Sequence, residues 1–137
     1  MSPLFRATAA TAAAFLVTGL TATAASAADT TPPAATRVGY IAPYQCLSLA
    51  LSADRSTDNV TPQSELRYEA FADGVFIGNL VDSGHPGGAW GFLHLLHGGI
   101  SIVTVRVVDA AGNRSAFSPG VGVRAFYTPG CAPGRLP

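Results

Sequence analysis

Three histidines, His85, His94 and His97, are the side chains of this sequence best suited to hold a metal or move a proton. Two of them stand three apart in "HLLH". On a helix their rings would share a face; on a strand they point opposite ways. Asp82 is the nearest acid. A metal centre needs ligands that converge, and this spacing does not bring them together, so neither a metal nor a cofactor is expected. The only two glutamates are Glu65 and Glu69. A glycosidase pair has to flank a cleft at a separation of roughly 5–10 Å, and nothing about these two implies a cleft. No Gly-x-Ser-x-Gly elbow presents a serine nucleophile. With no convergent acid–base set, the chain is expected not to be an enzyme.

The remaining chemistry belongs to sulfur and to aromatic rings. Cys46 and Cys131 are the only cysteines, too few and too far apart for a four-ligand zinc site. The compartment decides what they do. Arg6 precedes a short apolar run, "AAAFLVTGL", and "TATAASA" ends in Ala25-Ser26-Ala27, the small-x-small pattern of a signal-peptide cleavage site. The run falls short of the ~20 apolar residues that span a bilayer. Residues 1–27 therefore read as a signal peptide, and the product as secreted with no membrane span after cleavage. In an oxidising environment a pair of cysteines usually bonds. The charges are sparse and balanced, eight arginines against eight acidic residues with no lysine. No basic patch is visible, which argues against nucleic acid as a partner.

Positioning falls to short strands. Residues 28–36, "ADTTPPAAT", read as a flexible Pro/Thr/Ala leader. From residue 37 to 137 the pattern is strand and turn, and no apolar 3.6-residue period lasts three turns. "RVGYIAP" is a first strand ended by Pro43. "QCLSLALS" alternates, placing Leu47, Leu49 and Leu51 towards a core. "LRYEAFADGVFIGNL" is a hairpin about Asp73-Gly74, a dipeptide suited to a two-residue turn with positive φ at both positions. That turn pairs Ala72 with Val75, Phe71 with Phe76 and Ala70 with Ile77. "VDSGHPGGAWGF" reads as an irregular Gly-rich loop and "FLHLL" as a strand. "ISIVTVRVV" alternates again, with Val103, Val105 and Val107 inward. Asp109 then ends the ladder by accepting backbone N–H groups, and "SAFSPGVGVRAFY" returns beside it as a bulged, edge-like strand.

The order "STDN", "RYEAFADGVFIG" and "VTVRVVDAAGNRSAFS" resembles a bacterial extracellular fibronectin type III domain, over about Arg37 to Tyr127. The resemblance implies an all-β, antiparallel Ig-like sandwich of about seven strands. It also implies that Cys46 and Cys131 meet at one pole, and that Glu69 faces Arg106 across adjoining strands. Two family features are missing: the tryptophan of the second strand, where "LSLALS" stands, and the tyrosine early in "GGISIVTV".

Binding is the function such a module performs. With Tyr68, Ala70, Ala72, Val75 and Ile77 inward, Phe71 and Phe76 face outward with Arg67, Glu69 and Arg106. Trp90 either stacks on a ligand or plugs the mouth of the sandwich. The expected function is adhesion to, or binding of, an extracellular protein or polysaccharide through Phe71, Phe76, Trp90, Arg67 and Arg106. The alternative is a secreted inhibitor or ligand-carrying apoprotein that inserts the loop from Gly84 to Gly91. The sequence carries no sign of an oligomeric state.

Overall fold

The computed structural model describes residues 28–84 and 88–126. Within them run seven strands: β1 Val38–Pro43, β2 Ser48–Ala53, β3 Arg67–Ala72, β4 Val75–Asp82, β5 Ala89–His94, β6 Gly99–Val108 and β7 Val121–Ala125. The only helical turn among the described residues is a 3-10 turn at Gln63–Glu65. None of the helices there is long and apolar enough to cross a membrane. Residues 1–27, expected to be a signal peptide, and Cys131 lie outside the described residues.

All pairings are antiparallel, and the sheet order is β1-β2-β5-β4-β3-β6-β7. β4 pairs with β3 along most of its length and with β5 only at Val81 and Asp82. This change of partner joins two groups of strands into one sheet. β1 comes back against β7, so the sheet nearly closes on itself. The core fills the inside. Leu49, Leu51 and Ala53 of β2, Tyr68, Ala70 and Ala72 of β3, and Val103, Val105 and Val107 of β6 are all buried there. Each trio is a period-2 set, as a half-buried strand requires.

The Asp73-Gly74 turn has the expected positive φ, 50° and 80°. Its Ala72–Val75 and Phe71–Phe76 pairs form as expected. The third pair does not. Ala70 faces Gly78, leaving Ile77 as the extra residue of a β-bulge. The bulge reverses the parity of β4, so Leu80, opposite Tyr68, turns inward. Gly78 itself has φ +146°, and a Cβ there would stand 2.7 Å from a Leu93 methyl. Val75 is also not in the core; it is half exposed. β5 does not reach this end of β4, so nothing covers it.

The end of β6 behaves as its sequence suggests. Asn113 N–H donates to Asp109 Oδ1 at 2.7 Å, and Asp109 N–H donates back to the Asn113 carbonyl at 3.1 Å. The returning chain then uses two serines as rungs. Ser115 and Ser118 donate their N–H groups to the Val107 and Val105 carbonyls, while their hydroxyls accept the Val107 and Val105 N–H groups. This holds residues 115–118 beside β6 before β7 begins.

The leader has no regular secondary structure, yet it is held. Ala34 N–H donates to the Thr57 carbonyl at 2.9 Å, Ser56 Oγ donates to the Ala34 carbonyl, and Thr36 Oγ1 donates to the Asp54 carbonyl at 2.6 Å. A Pro/Thr-rich composition gives no hint of these bonds, because all of them are made to the β2–β3 connection.

Candidate functional site

The residues expected to form one binding surface lie on two. Arg67, Glu69, Phe71 and Arg106 share the outer face of β3 and β6, with Phe76 across the hairpin on β4. Glu69 stands opposite Arg106 and Phe71 opposite Thr104. The Glu69 carboxylate accepts from Arg106 Nε at 2.9 Å and also pairs with Arg67 at 3.2 Å. A buried carboxylate with two guanidinium partners is the usual way a charge tolerates burial.

Phe71 is outward-facing but not exposed. It retains 9% of its surface while Phe76 retains 50%, against the expectation that both rings are open. The cover is Phe117, whose ring meets Phe71 edge-on at 5.1 Å, together with Phe76 at 5.6 Å and the Arg106 guanidinium at 4.9 Å. Phe117 gets there because the Ser115 and Ser118 rungs lay the returning chain along β6. Phe71 belongs to no part of the main core; it anchors a small second cluster. On this face the charges are paired and the central ring is covered.

Trp90 lies on the other face. It is not in a loop: β5 begins at Ala89, and Trp90 stands opposite Ser52 on one side and Val81 on the other. It neither plugs the core nor is covered, with about half its surface open. Phe92 follows on the same face, and the two rings meet edge-on at 5.6 Å. Tyr44 continues the row at 5.6 Å from Phe92. Tyr40 is exposed on the same side, opposite Ser52. Between the aromatic strands β1 and β5 runs β2, which shows only Ser48, Ala50 and Ser52 outward. The result is a strip with a floor of small side chains and aromatic rings on both borders. Among these positions only His94 and the two tyrosines can ionise at all, and His94 Nδ1 lies 3.2 Å from Ser48 Oγ.

Phe92, Tyr44 and Tyr40 were not singled out from the sequence. A signal for them was there: Phe92 shares parity with Trp90, and the small residues of "SLALS" share a face with neither leucine.

The two described histidines, His94 and His97, lie apart. His94 contacts Ser48, whereas His97 Nε2 is 3.4 Å from Asp73 Oδ2 across the molecule's turn region. His85 lies outside the described residues. Asp82 is engaged by Arg55 at 3.5 Å, and Glu65 sits in the 3-10 turn. As for the expected inserting loop, residues 85–87 are outside the described set, and its end is pinned. The Gly88 carbonyl accepts from Ser83 Oγ at 2.8 Å, and a Cβ on Gly88 would meet the Ala53 carbonyl oxygen at 2.0 Å.

Comparison with protein-family models finds none that matches the sequence, and comparison with curated proteins finds no match.

Proposed function

We propose that this protein is a secreted, non-catalytic binding module of the fibronectin type III kind, and that it holds a neutral extracellular polysaccharide on the Trp90–Phe92–Tyr44 strip. The observation that carries the reading is the unbroken row of three rings, each about half or more exposed, with no charged side chain among them. An exposed aromatic row is expensive to leave in water and marks a contact surface. Sugar rings carry apolar C–H faces that stack on aromatic rings, and the small floor of Ser48, Ala50 and Ser52 leaves room for a chain to lie along the strip. The strand grouping supports the module class. Among the described residues, β1-β2-β5 and β4-β3-β6-β7 share backbone pairing only through the short β4–β5 ladder, as the two layers of an Ig-like sandwich are grouped.

Export and the Cys46–Cys131 bond belong to the same proposal. Phe126, five residues before Cys131, lines one shallow depression with Pro43, Tyr44 and Gln45, the neighbours of Cys46. Intact mass of secreted material should give a chain beginning at Ala28 or Asp29, and thiol labelling without reductant should find nothing to label.

Retention on insoluble cellulose and chitin tests the binding face. The wild-type chain should be retained on at least one. Trp90→Ala and Phe92→Ala should lose retention while remaining folded, at a cost of about 1–3 kcal/mol in urea unfolding for half-buried rings with edge-on partners, and Phe76→Ala, at a similar cost, should keep it. A wild-type chain that passes through both, or a Trp90→Ala variant retained like wild type, would dismiss the reading.

A further inference from the structure

Three loops bring three aspartates together. Asp29 comes from the leader, Asp58 from the β2–β3 connection and Asp109 from the turn after β6. Each offers one carboxylate oxygen, and the three oxygens lie within 4.8 Å of one another. None of the ion pairs among the described residues involves any of the three. Three negative charges at this separation repel strongly unless a cation or protons are shared among them.

A second observation says where a ligand would sit. Among the described residues, Asp29 Oδ2 and Asp58 Oδ1 are shut off from solvent and accept no hydrogen bond. Their sister oxygens are occupied: Asp29 Oδ1 takes the Thr31 N–H at 3.0 Å, and Asp58 Oδ2 takes the Thr61 and Val60 N–H groups at 2.7 and 3.1 Å. Asp109 is held by Asn113, whose amide also donates to the Asp29 carbonyl at 3.0 Å. Each carboxylate is thus clamped on one side, and two of them leave a desolvated oxygen with no partner. Buried acceptors are rarely left so, and a bound ion is a standard reason for one.

We propose that Asp29, Asp58 and Asp109 form a calcium site that fastens the leader to the rest of the fold. The donors are all oxygen, which selects a hard cation over zinc or copper. Calcium takes six to eight oxygen ligands in a flexible geometry, whereas magnesium demands a near-ideal octahedron and keeps several of its waters. Three carboxylates leave positions for carbonyls and water, as calcium accepts. The site joins residues that are 29 and 51 positions apart in the chain, so binding closes the leader onto both loops at once.

The test is calorimetric titration of calcium chloride into the purified, chelator-treated full chain, with thermal unfolding in parallel. Extracellular modules bind calcium at about 10⁻⁴–10⁻³ M. One site in that range, and a thermal midpoint that rises in 10 mM calcium, are expected; at the tighter end the folded state is favoured about 100-fold. Asp29→Asn removes one ligand charge without touching the β6 turn. It should bind roughly tenfold or more weakly, as affinity follows ligand charge, and should lose the rise in midpoint while remaining folded in chelator. Magnesium at the same concentration should produce a smaller rise. No heat and no shift for the wild-type chain up to 10 mM would overturn the proposal; that result would leave shared protons to hold the aspartates. An Asp29→Asn variant with the full calcium response would overturn it equally.

Discussion

Phe71 and Phe76 face each other across one hairpin and are chemically identical, yet they should not be equal under substitution. Full burial of a phenylalanine side chain is worth about 1.5–3 kcal/mol, and an edge-to-face aromatic pair about 0.5–1.5 kcal/mol beyond it. Phe71 has 9% of its surface exposed and makes two such pairs, with Phe76 and Phe117. Phe76 has 50% exposed and makes one. The difference gives about 4 kcal/mol for Phe71→Ala, inside the usual range for core phenylalanines, and about 2 kcal/mol or less for Phe76→Ala. Phe71→Ala also removes the ring under the Arg106 guanidinium, worth about 0.5–1 kcal/mol. Urea unfolding followed by fluorescence reads the gap: with slopes of about 1–3 kcal/mol per molar, the two midpoints should differ by about 1–2 M. Equal midpoints would show that Phe117 does not cover Phe71 in solution. A costlier Phe76→Ala would show that the hairpin presents its other side.

Two more outcomes can be measured on the same equipment. Tyr68 is fully buried, and its hydroxyl accepts the Ser56 N–H and the Gln63 Nε2–H, both at 2.8 Å; Tyr68→Phe should cost about 1–3 kcal/mol, the penalty of an orphaned buried donor, and no cost in urea would mean that Ser56 finds another acceptor. Asp73 is held below the ordinary carboxylate range first by the Ile102 N–H, then by the Ser101 hydroxyl against a small burial effect, and by His97. A lowered folded-state value stabilises above the unfolded value of 3.8 and is lost as pH falls through the lower folded one. Asp73→Asn keeps an Asn-Gly turn and should therefore flatten the loss of stability below that pH; an unchanged acid limb would assign the loss to other carboxylates, Asp58 among them.

Much of the strand pattern is written in short stretches. "SLALS" and "ISIVTVRVV" alternate with period 2, so the choice between inward and outward residues is made locally by the pleat. Asp73-Gly74 and Asp109 mark turns through their own φ preferences and side-chain acceptors, and the Glu69–Arg106 pair follows once β3 and β6 are neighbours. The bulge at Ile77 was not legible: one extra residue is accommodated where Leu93 and the core require Gly78, a demand set by another strand. Trp90 was hidden by its glycines, because Gly91 and Gly88 belong to a strand and a close approach only when β2 and β4 lie beside them. What covers a face is likewise decided at a distance. Phe71 faces outward by local parity, but its burial depends on Phe117, which arrives from the far side of a turn. The three aspartates stand in three separate loops, and each reads by itself as an ordinary turn or leader residue. Local sequence determines the side from which each residue projects. Only the packing of distant segments determines which residues meet there, because contact between them is set by how the whole sheet closes.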